Sequence, residues 1–560
     1  MTRVLLLGLD GAEPTLIENW LHDLPNLRRL MQGGVSGTLE SSIPPLSIPA
    51  WSCIGSGKNP GKIGVFSFLH REASSYDVHV VNSTVIKSPY LWNILSEKGK
   101  RVVVLNVPGT FPPEKVNGVL VSGMPAPSND GRLVYTYPSA LSRELDTLVG
   151  GYEVDYPWIK LDRLFETRAT FGSVFTYDRF VEIVSETLEK QLRIAENLLD
   201  KERWDFAFIV FTALDRICHL AWRFMDRNHP NYDDREAKRF GDTIHRFYVK
   251  IDSLVGRLLS HTGNDTVTIV VSDHGFGPLY EKFYLNEWLR RLGFLSLAGR
   301  RRLQVSILAN SPISRERISK LLIRHNLSTL LNMTPKSIRK MFRGAEFEDI
   351  SGSIDWPHTR AYSYGAFGFI FLNVKGREPK GIVRRGEDYD RLQREIIAAL
   401  KRIRDPKGNL LVDQIWKADE IYHGPYADLA PDLLLRMDHF RCRVSSGLGR
   451  RNLFDPDPLT SGTHRPTGIF IAHGEGIRLN SKIRAHVHDI APTILHSMGI
   501  SVPQDMDGRP LIAIFDPSSS FAKRQVAYEG TGAIQKAGFK WTEEDEERIK
   551  TQLKRLGYVE

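Results

Sequence analysis

Apolar residues recur along this chain in two rhythms. Short unbroken apolar runs end in acidic or turn residues, and longer stretches with helical spacing lie between them. Residues 4–9 run into Asp10-Gly11, residues 205–211 lead to Asp215, and residues 266–271 lead to Ser272-Asp273-His274-Gly275. Residues 101–106 form a further run that ends at Pro108-Gly109. Unbroken apolar runs fit strands covered on both faces, as in parallel sheets. Later strand patterns fall at 368–373, 433–435 and 468–472. Helical periods are expected over 15–33, 174–200, 236–260 and 489–500, with a charged helix over 542–556. Residues 107–160, rich in Pro, Gly and aromatics, read as ordered loops with short strands. Strands alternating with helices predict an α/β fold around a central, mainly parallel sheet.

The alternation breaks at residues 281–355. From Gly299 to Arg343 the chain carries 11 basic residues (Arg300, Arg301 and Arg302 among them) against Glu316 alone. Ser311-Pro312 and Thr334-Pro335 look like helix starts with Pro at the first position. Ile318, Leu321 and Leu322, then Ile338, Met341 and Phe342, supply apolar stripes. The segment reads as a small basic, mainly helical insert acting as a lid or cap. Its basic face suits a membrane surface or a polyanion, and nucleic acid is not required. The expected organisation is a core over 1–280 and 356–515, the insert over 281–355, and a linker plus charged helix over 516–560. That last helix is expected to pack on the surface or on a partner.

With 560 residues, 41% hydrophobic and 25% charged, the composition is that of a globular protein too long for one simple core. The net charge of +9 suits an anionic partner such as a phosphate ester. Three scattered cysteines, Cys53, Cys218 and Cys442, imply buried thiols rather than a disulfide framework. The first apolar run is too short for a signal core and has no cleavage site after it. No apolar run approaches the roughly twenty residues that span a bilayer. A cytoplasmic location is the expectation.

The candidate chemistry gathers around Ser47, in Pro44-Pro45-Leu46-Ser47-Ile48-Pro49-Ala50-Trp51. A serine hydroxyl is a weak nucleophile until a base or a metal activates it. A helix opening just after it would turn backbone amides toward a phosphate. Asp10 ends the first strand, where catalytic groups of open α/β sheets sit. Asp215 and His219 are four residues apart and would share one helix face. A carboxylate beside an imidazole suits Zn²⁺ or Mn²⁺. Asp273-His274 is followed by Gly275 and Gly277, which permit close backbone approach. His464 lies in a glycine-containing loop before a strand. Taken singly, Ser47 fits a helix cap and Asp215–His219 a surface pair. Together they sort into two sets. Asp215, His219 and His464 form one. Asp10, Asp273 and His274 form the other, completed or bridged by the Ser47 oxygen. Two metals roughly 4 Å apart stabilise both the attacking and the leaving oxygen of an in-line displacement. Trp51 is a candidate to stack a base or a lipid glycerol, or else to pack in the core. Lys58, His70 and Arg465 are candidates to bind a distal charge on the substrate.

In these motifs, in this order, the chain resembles the alkaline phosphatase superfamily, and most of all its type I phosphodiesterase / nucleotide pyrophosphatase branch. The matching elements are Leu9-Asp10-Gly11, the loop around Ser47, Asp215-x-x-x-His219, Asp273-His274-Gly275, His464, and the stretch from Asp489 to Gly508. The resemblance implies an α/β/α sandwich with two divalent metals, commonly zinc, and attack by Ser47 to give a covalent phosphoserine that water then hydrolyses. Nucleotide pyrophosphatases usually carry Thr as nucleophile and Asn three residues on. Ser47 and Ala50 stand there in this chain, which leaves a phosphoryl oxygen to metals, backbone amides or another side chain. The sulfatase motif needs Arg where Trp51 stands. The cofactor-independent mutases carry their insertion soon after the serine, not after Asp273-His274. The leading expectation is therefore a two-metal phosphodiesterase. The alternatives are a phosphomonoesterase, a phosphoryl or headgroup transferase, and, from another class, a non-catalytic protein that binds anions or membranes.

Overall fold

The computed structural model describes residues 2–129, 133–156, 174–263, 265–299, 352, 354–405, 407–456, 460–530 and 538–559. Its centre is a nine-stranded sheet. In chain order we label its strands β1 (Arg3–Leu9), β2 (Gly34–Glu40), β3 (Val102–Val107), β4 (Gly118–Ser122), β5 (Thr136–Tyr137), β6 (Phe206–Phe211), β7 (Thr266–Val271), β8 (Thr467–His473) and β9 (Ser481–His486). Across the sheet they run β9-β2-β8-β7-β1-β6-β3-β4-β5. The pairs β7–β1, β1–β6, β6–β3, β3–β4 and β2–β9 are parallel. The contacts of β8 with β7 and β2, and of β5 with β4, are antiparallel. The sheet is mixed and mainly parallel, as the apolar runs predicted.

The core sits where those runs lie. Val4 to Leu7 and all of β6 are fully buried, which is why they show no polar alternation. A smaller antiparallel sheet joins Ala361–Tyr362, Phe369–Leu372, Leu433–Met437 and Val412–Lys417. Three helices matter for the site: α1 (Ser47–Ser56), α2 (Ala213–Met225) and α3 (Glu543–Leu556).

Several elements differ from expectation. The helix expected over 15–33 is two helices, Pro14–Trp20 and Pro25–Gln32, because Pro25 can only begin a helix. The one expected over 236–260 is divided into Asp234–Phe240 and Thr243–Ser260. Gly241 lies at the break, where a Cβ would stand 3.2 Å from the Phe224 carbonyl. Within the expected loops, Leu141–Val149 is helical.

Strand β2 (Gly-Val-Ser-Gly-Thr-Leu-Glu) has no apolar run to announce it. Its glycines exist for close pairing: a Cβ on Gly37 would lie 1.8 Å from the Ile483 carbonyl oxygen. The strand Glu281–Tyr284 pairs with Cys442–Ser445 and Phe454–Asp455, and the helix Leu285–Arg291 follows it. The basic run expected to form the insert, with Ser311-Pro312 and Thr334-Pro335, lies outside the described residues. Cys53, Cys218 and Cys442 are free and buried. Among the described residues, no helix is long and apolar enough to cross a membrane.

Candidate active site

Sheet topology delivers the candidate residues to one place. Strands β6, β1 and β7 lie side by side and parallel, with Leu9 opposite Phe211 and Gly8 opposite Val271. Their carboxyl ends are therefore level. Asp10 follows β1 directly, Asp273-His274 follows β7, and Asp215 stands in the first turn of α2 just beyond β6. Strand β8 runs the other way, so its start lies at this same edge. Ahead of β8, Gly462–Arg465 pairs with Gly275–Pro278, which sets His464 opposite Phe276. Strand β2 ends with Glu40 opposite Thr467, and a short loop carries the chain to Ser47, the first residue of α1. The helix expected just after Ser47 thus begins at it. Its cap, Leu46, makes no side-chain bond to the first turn.

The side chains converge closely. His274 Nε2 lies 3.3 Å from Ser47 Oγ, 3.5 Å from Asp10 Oδ1 and 3.3 Å from Asp273 Oδ2. His464 Nε2 lies 3.2 Å from Asp215 Oδ1 and 3.1 Å from His219 Nε2, and His219 Nε2 is 3.4 Å from the same Asp215 oxygen. The His274 and His464 rings stack with centroids 3.7 Å apart. Ser47, Asp10, Asp215, His219, Asp273, His274 and His464 are each at most 2% exposed.

Two features define the chemistry of this cluster. First, the Nδ1 atoms of His219, His464 and His274 lie 3.0, 2.7 and 3.0 Å from the carbonyl oxygens of Gly462, Pro45 and Gly275. A carbonyl only accepts, so each Nδ1 carries a proton, and the neutral form of each ring turns an Nε2 lone pair inward. Second, Asp10 Oδ1, Asp215 Oδ1 and Asp273 Oδ2 are buried without a hydrogen-bond partner. Their companion oxygens are held. Trp51 Nε1 donates to Asp10 Oδ2 at 2.9 Å, and the Gly11 amide donates to Asp273 Oδ1 at 3.3 Å. Arg216 and Tyr558 both donate to Asp215 Oδ2.

Three inward lone pairs facing three orphaned carboxylate oxygens is what a divalent-cation site needs, with ligating imidazoles fixed from behind by carbonyls. Asp215, His219 and His464 form one potential ligand set. The second set is Asp10, Asp215 and His274, so Asp215 takes part in both. Asp273 faces His274 rather than completing that triad.

The electrostatics fit the same picture. Burial pushes the Asp10 carboxyl well above its ordinary range, and the charge of Asp215 adds to the effect. Asp273 is raised by burial and then by Asp10 and Asp215. Burial alone would raise Asp215 too; protonated His219 and His464 beside it would hold it well below the usual range, a charge that a bound cation would supply when the rings are neutral. Burial lowers His274 and His464, favouring neutral rings. Positive charge among these groups is what would let Asp10 and Asp273 ionise together.

The peripheral candidates are placed differently. Trp51 is fully buried, and its indole is spent on Asp10. Lys58, also buried, pairs with Asp505. His70 lies in the ribbon Leu69–Arg71 / Val78–Val80, opposite His79. The Arg465 guanidinium donates to the carbonyls of Pro278 and His464 at 2.7 and 3.0 Å. Sequence reasoning missed Arg216 and Tyr558. Arg216 is 1% exposed, with Asp155 at 3.2 Å and Asp215 at 3.2 Å. Its place beside Asp215 was the only clue to it. Tyr558 lies 342 residues from Arg216, and no local pattern announces it.

A family model described as type I phosphodiesterase / nucleotide pyrophosphatase matches residues 4–454. No curated protein matches the chain. Among solved structures, human ectonucleotide pyrophosphatase / phosphodiesterase 5 is similar at 13% identity and TM-score 0.49, over 91% of this chain and 98% of that one. The murine form, inactive and in complex with AMP, is similar at 12% identity and TM-score 0.47, over 90% and 96%. Phosphonoacetate hydrolase from Sinorhizobium meliloti 1021, in complex with phosphonoformate, is similar at 15% identity and TM-score 0.47, over 88% and 94%. His464 and Tyr558 lie beyond the residues that the family model matches. The chain belongs to the type I phosphodiesterase / nucleotide pyrophosphatase family of the alkaline phosphatase superfamily, and is a metal-dependent phosphoester hydrolase.

Proposed function

We propose that this enzyme is a two-metal phosphodiesterase whose nucleophile is Ser47 and whose reaction passes through a covalent phosphoserine. The observation that carries the reading is Ser47 Oγ, at the mouth of α1, 3.3 Å from the His274 Nε2 that lies 3.5 and 3.3 Å from the orphaned oxygens of Asp10 and Asp273. Asp215, His219 and His464 would hold one ion; Asp10 and His274, with Asp215 shared between the sets and Asp273 beside His274, would hold the other. Divalent ions, zinc or manganese by the mixed O/N donor set, supply positive charge against the phosphate and favour the serine alkoxide.

The remaining work belongs to the chain. The loop from β2 and the first turn of α1 fix Ser47 Oγ on the side where Asp10 and His274 converge. The Nδ1–H bond of His274 to Gly275 keeps Nε2 unprotonated on the side of Ser47, so its lone pair would be given to the ion and the ring would hold no proton against the serine oxygen. Attack of Oγ forms the O–P bond as the bond to the leaving oxygen breaks, and the proton given up by Oγ ends on that oxygen to release the alcohol. Water then forms a new O–P bond as the bond to Oγ breaks, and one of its protons returns to Oγ to regenerate serine. With Ala50 where relatives carry Asn, the uncapped amides at the start of α1 are the chain's own donors toward a phosphoryl oxygen. Burial of every group strengthens these interactions by excluding water.

The test is hydrolysis of bis-p-nitrophenyl phosphate and p-nitrophenyl phosphate by metal-stripped protein reloaded with Zn²⁺ or Mn²⁺. Metal-dependent diester cleavage is expected. Ser47→Ala should lose at least about a thousandfold in kcat while still binding both ions. Acid quenching of the wild type should trap phosphate on Ser47. A preference for the monoester makes the enzyme a phosphatase, and undiminished turnover by Ser47→Ala refutes the nucleophile.

A further inference from the structure

The helix α3 was expected to lie on the surface or on a partner, but it feeds a side chain into the active site. Thr542 caps its start by accepting from the Asp545 amide. Ile549 and Leu553 are buried beneath it. Its polar face docks on the short strand Val78–Val80. The Val80 amide donates to Glu546 at 2.8 Å, and Lys550 donates to the Val78 carbonyl at 3.1 Å. Just before the helix, Trp541 donates to the Val80 carbonyl at 2.9 Å and stacks on Phe111. Gly557, in the left-handed conformation at φ +80°, ends the helix where a Cβ would stand 1.9 Å from Arg443. This turn sends Tyr558 inward.

Tyr558 is 1% exposed and stacks on Phe68 with centroids 4.3 Å apart. Its ring meets His219 edge-on at 5.1 Å and lies 5.6 Å from His464. Its hydroxyl accepts from Arg216 Nη1 at 2.6 Å and donates to Asp215 Oδ2. That is the oxygen opposite the orphaned Oδ1 that faces His219 and His464. A carboxylate's terminal torsion is broad. Without the phenol, Asp215 Oδ2 keeps Arg216 Nη1, whose guanidinium stays on Asp155 through Nη2, and the carboxylate can swing about that contact and turn Oδ1 away from the imidazoles.

We propose that Tyr558, delivered by α3, is a positioning residue: with Arg216 it pins Asp215 Oδ2 so that Oδ1 stays aimed at the ion held with His219 and His464. The inference rests on the two-metal reading above. It makes the end of the chain part of the active centre although it lies outside the matched family region.

The experiment compares wild-type protein and Tyr558→Phe, which keeps the ring on Phe68 and removes only the hydroxyl. Both are loaded with two equivalents of Zn²⁺ and titrated with a chromophoric chelator, and the thermal midpoint of the metal-free forms is measured alongside. Outer-sphere partners of ligands typically hold about 10–100-fold in metal affinity. The expected result is a larger effect on one zinc than on the other, the first released about tenfold more readily from Tyr558→Phe, with the metal-free midpoint unchanged. A helix-anchor variant, Glu546→Ala, should weaken the same zinc by partly undocking α3. Identical chelator curves for wild type and Tyr558→Phe overturn the proposal. So does equal loss of both zincs together with a lowered metal-free midpoint, which would make Tyr558 a packing residue. Wild-type protein that takes up no zinc refutes the metal reading itself.

Discussion

The buried end of β1 makes a strong prediction that is independent of any ion. Gly8 lies in a strand interior, where glycine is ordinarily unfavourable. The structure explains it by the indole of Trp51. A Cβ on Gly8 would stand 2.4 Å from Trp51 Cη2 and 2.9 Å from Cζ3, and 2.8 Å from Val210 Cγ2. Two of the three contacts belong to the ring whose Nε1 holds Asp10. Gly8→Ala should therefore destabilise by about 1–3 kcal/mol, the range for overpacking a tight core. Trp51→Phe should cost about 1–3 kcal/mol by leaving a buried carboxyl oxygen without its donor. Phenylalanine lacks the outer indole atoms, so in the double variant the methyl added at position 8 meets only Val210. That variant should then be more stable than the sum of the single effects by about 1 kcal/mol or more. Urea unfolding of the four metal-free proteins at one pH gives this coupling directly. Additivity within about 0.3 kcal/mol would refute the argument that Trp51 sets the requirement for Gly8.

Other consequences can be measured in parallel. Burial holds His70 down at about 4, against 6.5 unfolded, so the unfolded chain binds the extra proton between these values. Its contribution is complete above about pH 6.5 and is lost as pH falls toward 4; urea midpoints of His70→Gln should therefore fall less steeply than wild type over that window. Glu378 is fully buried against Arg71 at 2.8 Å and Arg377 at 2.7 Å. Glu378→Ala should cost about 3–5 kcal/mol in chemical denaturation, because it leaves a buried guanidinium without its partner. His219→Ala removes one inward lone pair, and equilibrium dialysis with Zn²⁺ should show one ion bound where wild type binds two. Retention of two ions would remove His219 from the ligand set.

The strands that frame the site were legible because both of their faces are buried. β1, β6 and β7 are nearly pure apolar runs, and the acids at their carboxyl ends stand out against them. The helical spacing of Asp215 and His219 was legible for the same reason, since α2 follows β6 after Thr212 alone. Strand β2 was not, because Gly34 and Gly37 reflect what its neighbours' backbones exclude, which no local pattern records.

The amino-acid sequence by itself determined the fold class, the family, and the seven residues that converge, because period and motif order are local properties. Only the tertiary structure decided how they are shared. The level ends of three parallel strands place Asp215 in both potential ligand sets and set Asp273 against His274. The core claims Trp51 to hold Asp10. Tyr558 reaches Asp215 across 343 residues of chain. Such contacts depend on register and on the return path of the chain, and a polymer's local pattern carries no information about either.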